Sequence, residues 1–161
     1  MAANESKPFV LCREVAAPRD LVWKAWTEEK RLAKWWGPKG LDVRVSKLDL
    51  RPGGMYHFCL GPDMWAKWVF REIVPPERLV WVHSFSDEKG GVTTHAMAPT
   101  WPRETLSTLM LTERGGKTTI KLEWAPINPT DLESRTFDEG RGDLTQGWTG
   151  TFEKLEEYLR G

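Results

Sequence analysis

The chain has 161 residues, enough for one sizeable core and too few for two, with 23 basic residues balancing 23 acidic ones at zero formal charge. Without a basic stripe, a nucleic-acid partner is not expected. No run of about 18 apolar residues is present, and the polar first residues do not read as a signal peptide, so a cytoplasmic protein without membrane insertion is expected.

Residues 1–8 read as a disordered or loosely held N-terminus and 9–161 as one domain. Residues 9–15 alternate as a first strand, and Pro18 then suits the first turn of a helix, where its missing N–H has no helical partner. Leu21, Val22, Ala25 and Trp26 share one face of that helix; Leu32, Trp35 and Trp36 form a second that stops before Gly37-Pro38. From residue 41 the period changes to two. Strands are expected at 41–50, 55–60, 65–74, 79–86, 105–112 and 118–124, separated by Gly, Pro or charge, the last two forming a hairpin around Gly115-Gly116. Residues 87–103 have no clear period and read as a long loop near a cavity mouth. Thr130 and Glu133 have capping-box spacing. Phe137, Leu144, Trp148, Phe152, Leu155 and Leu159 follow as one apolar stripe of a long helix, whose start is blurred by Gly140 and Gly142.

Ten tryptophans stand along this pattern, at 23, 26, 35, 36, 65, 68, 81, 101, 124 and 148. An indole combines a polar N–H with wide apolar faces, so such residues either fill a core or wall a ligand cavity. Strand parity sorts them further. Leu79, Trp81, His83 and Phe85 face one way, as do Tyr56 with Phe58, and Ile120, Leu122 and Trp124; His57 and Cys59 face outward. In 65–74 either Trp68 with Phe70 or Val69 with Ile73 forms the inner set, a bulge being expected near Gly61-Pro62. Cys12 and Cys59 have neither disulfide nor zinc spacing and are expected to be buried or half-buried thiols. His57, His83 and His95 are too scattered for a metal site, so neither metal nor cofactor is expected. Glu72, near Arg71 and Arg78, reads as a structural ion pair or a solvated side chain.

The order strand, two short helices, six strands and long helix, with four motifs, resembles the START-like superfamily, in its branch named for homology to the activator of heat-shock-protein-90 ATPase. The motifs are residues 17–27, APRDLVWKAWT; 32–38, LAKWWGP; 49–54, DLRPGG; and 70–80, FREIVPPERLV, with Gly147-Trp148 in the last helix. The resemblance implies an α+β helix-grip fold, a curved antiparallel sheet around a long C-terminal helix, with a hydrophobic ligand held between them. With parity, it places Trp26, Trp36, Tyr56, Phe58, Trp68, Phe70, Trp81, His83, Phe85, Trp101, Leu109, Trp124, Leu144, Trp148 and Phe152 around the cavity. Binding of a small hydrophobic, aromatic or lipid-like ligand is the expected function. The alternatives are a cyclase or dehydratase using His83 or Tyr56 for proton transfer, and a chaperone partnership. The latter ranks last, because no part of the sequence corresponds to the co-chaperone's additional N-terminal domain. Monomer and homodimer both remain open.

Overall fold

The computed structural model describes residues 7–38, 40–94 and 98–161. Strand β1 (Phe9–Val15) leads into helices α1 (Arg19–Thr27) and α2 (Glu29–Trp35). Strands β2 (Val43–Leu48), β3 (Met55–Leu60), β4 (Met64–Val74), β5 (Arg78–Ser86), β6 (Val92–Thr93), β7 (Thr105–Arg114) and β8 (Lys117–Pro126) follow. Helices α3 (Asp131–Glu139) and α4 (Arg141–Leu159) close the chain. The sheet is antiparallel in the order β1-β8-β7-β5-β4-β3-β2, with β6 paired to β5 outside that path. Because β1 and β2 lie at opposite edges, the segment between them must cross the sheet, and α1 and α2 make that crossing. Trp26 and Trp35 on these helices are fully buried, which anchors the crossing in the core.

Three local expectations are revised. The long loop contains β6, a two-residue strand too short to show any periodicity. The C-terminal helix is two helices that meet at Gly140, where an added Cβ would lie 3.1 Å from Cζ3 of Trp101. The break follows a tertiary contact as well as low helix propensity. The capping box does open α3: Thr130 Oγ1 accepts from Glu133 N at 3.1 Å, and Glu133 Oε1 accepts from Thr130 N at 3.0 Å. The bulge in β4 lies between Phe70 and Glu72, not near Gly61-Pro62. Trp68 and Phe70 therefore face inward, and the extra residue turns Ile73, opposite Leu79, to the inner side as well.

The DLRPGG motif is a backbone device. Gly53, at φ +83°, donates to Phe70 O at 2.7 Å, and Phe70 N donates to Gly54 O at 2.9 Å, tying the β2–β3 turn to β4. A Cβ on Gly54 would stand 2.1 Å from Asp49 O. Gly54→Ala must open this turn, and we expect it to destabilise the protein by about 2 kcal/mol or more in a denaturant titration. Gly53→Ala, whose Cβ meets nothing within 4 Å, is expected to cost about 1 kcal/mol from positive φ alone.

The outward faces of β3 and β5 are not solvent-exposed, as alternation alone would have them. His57 is 4% exposed and Cys59 fully buried. The His57 ring stacks on Trp65 at 4.8 Å, and its Nε2 lies 3.2 Å from both Ser86 Oγ and Asp87 O. Arg44 Nη2 donates to Cys59 Sγ at 3.3 Å and its guanidinium lies over the Trp65 ring. Large neighbours thus shield this polar face. Cys12, by contrast, is exposed, since its side of edge strand β1 has no such cover. Arg141 holds the chain just before β1 through the carbonyls of Lys7 and Pro8. Arg78 Nε pairs with Glu72 Oε1 at 3.0 Å on the surface.

Candidate functional site: an apolar cavity beside a tryptophan core

The inner aromatic residues divide into a packed block and a cavity wall. In the block, Trp68 stacks on Trp81 with ring centroids 4.2 Å apart, and Trp26 meets Trp35 edge-on at 4.8 Å. Tyr56 stacks on Phe58 at 4.5 Å and stands perpendicular to Trp68 at 4.9 Å. Phe152 of α4 closes on Trp26 at 6.4 Å. Of these indole N–H groups, Trp35 Nε1 donates to Ala25 O at 2.9 Å. Those of Trp26, Trp68 and Trp81, with Tyr56 Oη, have no partner among the described residues. Such groups cost stability when buried, so the block is held by apolar area and ring packing.

Next to this block lies a cavity of about 620 Å³. Its sheet wall carries Phe58, Leu60, Met64, Ala66, His83 and Phe85 on neighbouring strands, with Trp124 from β8. Leu144, Gly147, Trp148 and Thr151 of α4 form the opposite wall, and Trp36, Pro38 and Leu41 form one rim. Ala98 and Trp101, with Thr136, Glu139, Gly140 and Asp143 at the α3–α4 junction, complete the opening. Thr151 Oγ1 is 3.2 Å from Gly37 O, and Lys154 Nζ donates to the carbonyls of Gly37, Pro38 and Leu41 at 3.2 to 3.4 Å. The rim is thereby pinned to α4. Burial pushes the Lys154 ammonium down from its ordinary range, with Asp42 opposing the shift.

Of the residues placed around the cavity from sequence, Trp36, Phe58, His83, Phe85, Trp101, Trp124, Leu144 and Trp148 line it. Trp26, Trp68, Trp81 and Phe152 instead belong to the packed block, and Tyr56, Phe70 and Leu109 are also buried behind the wall. Parity correctly turns the strand residues among them inward, but α1, α2 and the later half of α4, with Trp26 and Phe152, fill the space in front of them. Tyr56 therefore offers no hydroxyl to the cavity. The acidic rim, Glu139 and Asp143, was not foreseen; a helical pattern interrupted by Gly140 and Gly142 was its only sequence signal.

His83 is the polar side chain of the sheet wall. It is 8% exposed, 5.2 Å from the Trp124 ring and 5.4 Å from Phe85. Desolvation lowers its pKa from 6.5 to about 4, and no hydrogen bond to it forms among the described residues. It is thus a neutral imidazole at pH 7, with one donor and one acceptor nitrogen. Burial raises the Tyr56 phenol further, well above its ordinary value. Among the described residues no three His, Cys, Asp or Glu side chains come together as a metal site; His95 lies outside them. No helix among the described residues is long and apolar enough to cross a membrane.

An antiparallel sheet that holds a C-terminal helix, with two short helices crossing between its edges, defines a helix-grip protein of START-like class. More narrowly, residues 16–160 match the family described as Activator of Hsp90 ATPase homolog 1-like protein, and the chain belongs to that family. Among solved structures it is similar to protein Ms6760 of Mycobacterium smegmatis, at 21% identity and TM-score 0.76 over 94% of this chain and 90% of that one. A protein of Arthrobacter aurescens aligns at 20% identity and TM-score 0.78, covering 99% and 92% of the two chains. DynU16, a protein of the dynemicin biosynthetic locus, matches at 21% identity and TM-score 0.71 over 95% of this chain and 47% of its own length. No curated protein sequence matches. At these identities the likeness establishes the fold, and a fold by itself does not select a ligand or a reaction.

Proposed function

We propose that this protein binds a small, largely apolar ligand, with an aromatic or lipid-like body, in the cavity between the sheet and the first half of α4. The observation that carries this reading is the cavity itself. It has about 620 Å³ of space beside the tryptophan block, its walls are mostly aromatic and aliphatic, and a volume of this order suits a small organic molecule. His83 supplies the wall's orienting hydrogen bond, donating to or accepting from an oxygen of the ligand.

Titration with 1-naphthalenemethanol tests this reading. Saturable quenching or shift of tryptophan emission is expected, as water beside Trp36, Trp124 and Trp148 is exchanged for ligand. Ala66→Leu adds a branched side chain on the cavity wall, and it should weaken binding by about tenfold, comparable to the loss of 1 to 2 kcal/mol of apolar contact. Unchanged emission at saturating probe, or equal affinity in Ala66→Leu, contradicts the reading.

The unpartnered imidazole also supports a second reading, acid–base chemistry on the bound ligand. That chemistry would run through His83, with Tyr56 excluded from the cavity, and at pH 7 the neutral ring would act as the base. In the binding reading His83→Ala lowers affinity by about three- to tenfold. In the enzymatic reading it lowers turnover of a substrate by about a hundredfold or more with binding retained.

A further inference from the structure

Among the described residues, the charged side chains of the cavity lining are Glu139 and Asp143, both acidic. Glu139 ends α3 and Asp143 lies in the first turn of α4, on either side of Gly140, and both are exposed at the opening. Neither forms an ion pair among the described residues. Asp143 suits a helix N-terminus, where the macrodipole favours negative charge, but Glu139 does not. It stands in the last turn of α3, where the carbonyl ends already concentrate negative potential, and that turn contains no basic residue.

Two nearby cations, Arg141 and Lys154, are committed elsewhere. Arg141 is bound to Asp138 and to the carbonyls of Lys7 and Pro8, with its guanidinium over the Phe137 ring at 5.1 Å. Lys154 is held by the rim carbonyls. Among the described residues no Lys or Arg lines the cavity.

The wall below the two carboxylates favours the same charge. Trp124 and Trp148 stand at 87° with centroids 5.4 Å apart, and Trp36 meets Trp148 at 5.4 Å and 57°. Indole planes tilted in different directions offer ring faces, each carrying negative quadrupole potential, to a cation entering past them. An anion would meet the same faces and both carboxylates as repulsion. Independently of the rim, His83 lies on the inner wall, nearly all buried and with no hydrogen-bond partner among the described residues, where a polar group of a ligand would satisfy it.

We propose that the ligand is an organic cation, an amine or quaternary ammonium on an apolar aromatic or aliphatic body, its charge held between Glu139, Asp143 and the indole faces. This rests on the cavity being a binding site and assigns the chemical class of its occupant. Low ionic strength strengthens the preference, because both carboxylates face solvent and are screened by salt.

The test uses three probes of one shape, 1-naphthylmethylammonium, 1-naphthalenemethanol and 1-naphthoate, titrated at pH 7 and low salt against the full chain and the E139Q/D143N variant. The ammonium is expected to bind the unaltered protein about tenfold or more tighter than the alcohol, and the naphthoate more weakly than both. In E139Q/D143N the advantage of the ammonium over the alcohol should fall below about threefold. Both positions are at the surface, and a denaturant titration with an unchanged midpoint shows that the variant is folded. Alcohol binding without ammonium preference overturns the charge assignment and leaves the cavity reading intact. A preference for naphthoate, or an ammonium preference that survives in the variant, overturns it too. Failure of all three probes to bind removes both readings together.

Discussion

Trp81→Ala is expected to cost about 3 to 5 kcal/mol of stability and to change the affinity for a cavity ligand by less than about threefold. Trp81 is fully buried, stacked on Trp68 at 4.2 Å and within 6.1 Å of Trp26, and it does not reach the cavity. Removing the indole leaves a void in the block that its rigid neighbours cannot close. Trp81→Phe is the milder test, because it keeps a ring and removes an indole N–H that has no partner; a loss of about 1 to 3 kcal/mol is expected. Denaturant titration reads both. A large loss of affinity with little loss of stability would place Trp81 on the cavity wall and contradict the division drawn here.

The second large effect is the pH dependence that His83 imposes. Its imidazole titrates near 4 in the folded protein against 6.5 when unfolded. Between these values the unfolded chain binds a proton that the native state refuses, so stability rises with pH across the window. Acidification from pH 7 to 4 should therefore remove roughly 3 kcal/mol through this group. Little further loss comes from it below the folded value. His83→Gln keeps a polar side chain without the titration, and its stability should fall less steeply between pH 6.5 and 4. Carboxylates elsewhere titrate in both proteins and cancel in the comparison. Equal slopes in the two proteins would mean that the ring is solvated or partnered.

Much of this architecture was legible in the sequence, because alternation, turn glycines and the capping box are local signals. The strands at 55–60 and 79–86 follow from period two alone, and Thr130 with Glu133 marks where α3 begins. What escaped depends on contacts distant in sequence. β6 is two residues long, and the inner set of β4 hung on a bulge that no single residue announces. The end of α3 at Gly140 reflects the ring of Trp101, 39 residues earlier in the loop that precedes β7.

The site was legible to the same depth. Parity tells which face of the sheet a side chain occupies but not what stands in front of it. Trp81 and His83 are neighbours on the inner face of β5, roughly 7 Å apart along the strand, yet one is locked in the tryptophan block and the other borders the cavity. The dividing line is drawn by where α1, α2 and α4 lie on the sheet. Aromatic character likewise could not separate Trp124, a cavity residue, from Trp68, a core residue, since both alternate inward on central strands.

The indole N–H resonances of the ten tryptophans test the central claim most directly, followed in a two-dimensional ¹⁵N–¹H spectrum as 1-naphthalenemethanol is added. The signals of Trp36, Trp101, Trp124 and Trp148 should shift along one saturation curve, while those of Trp26, Trp35, Trp68 and Trp81 in the block, and of Trp65 on the outer face, stay in place. Shifts concentrated at Trp26, Trp68 and Trp81 with the four cavity indoles unmoved, or no saturable shift at all, would contradict the account.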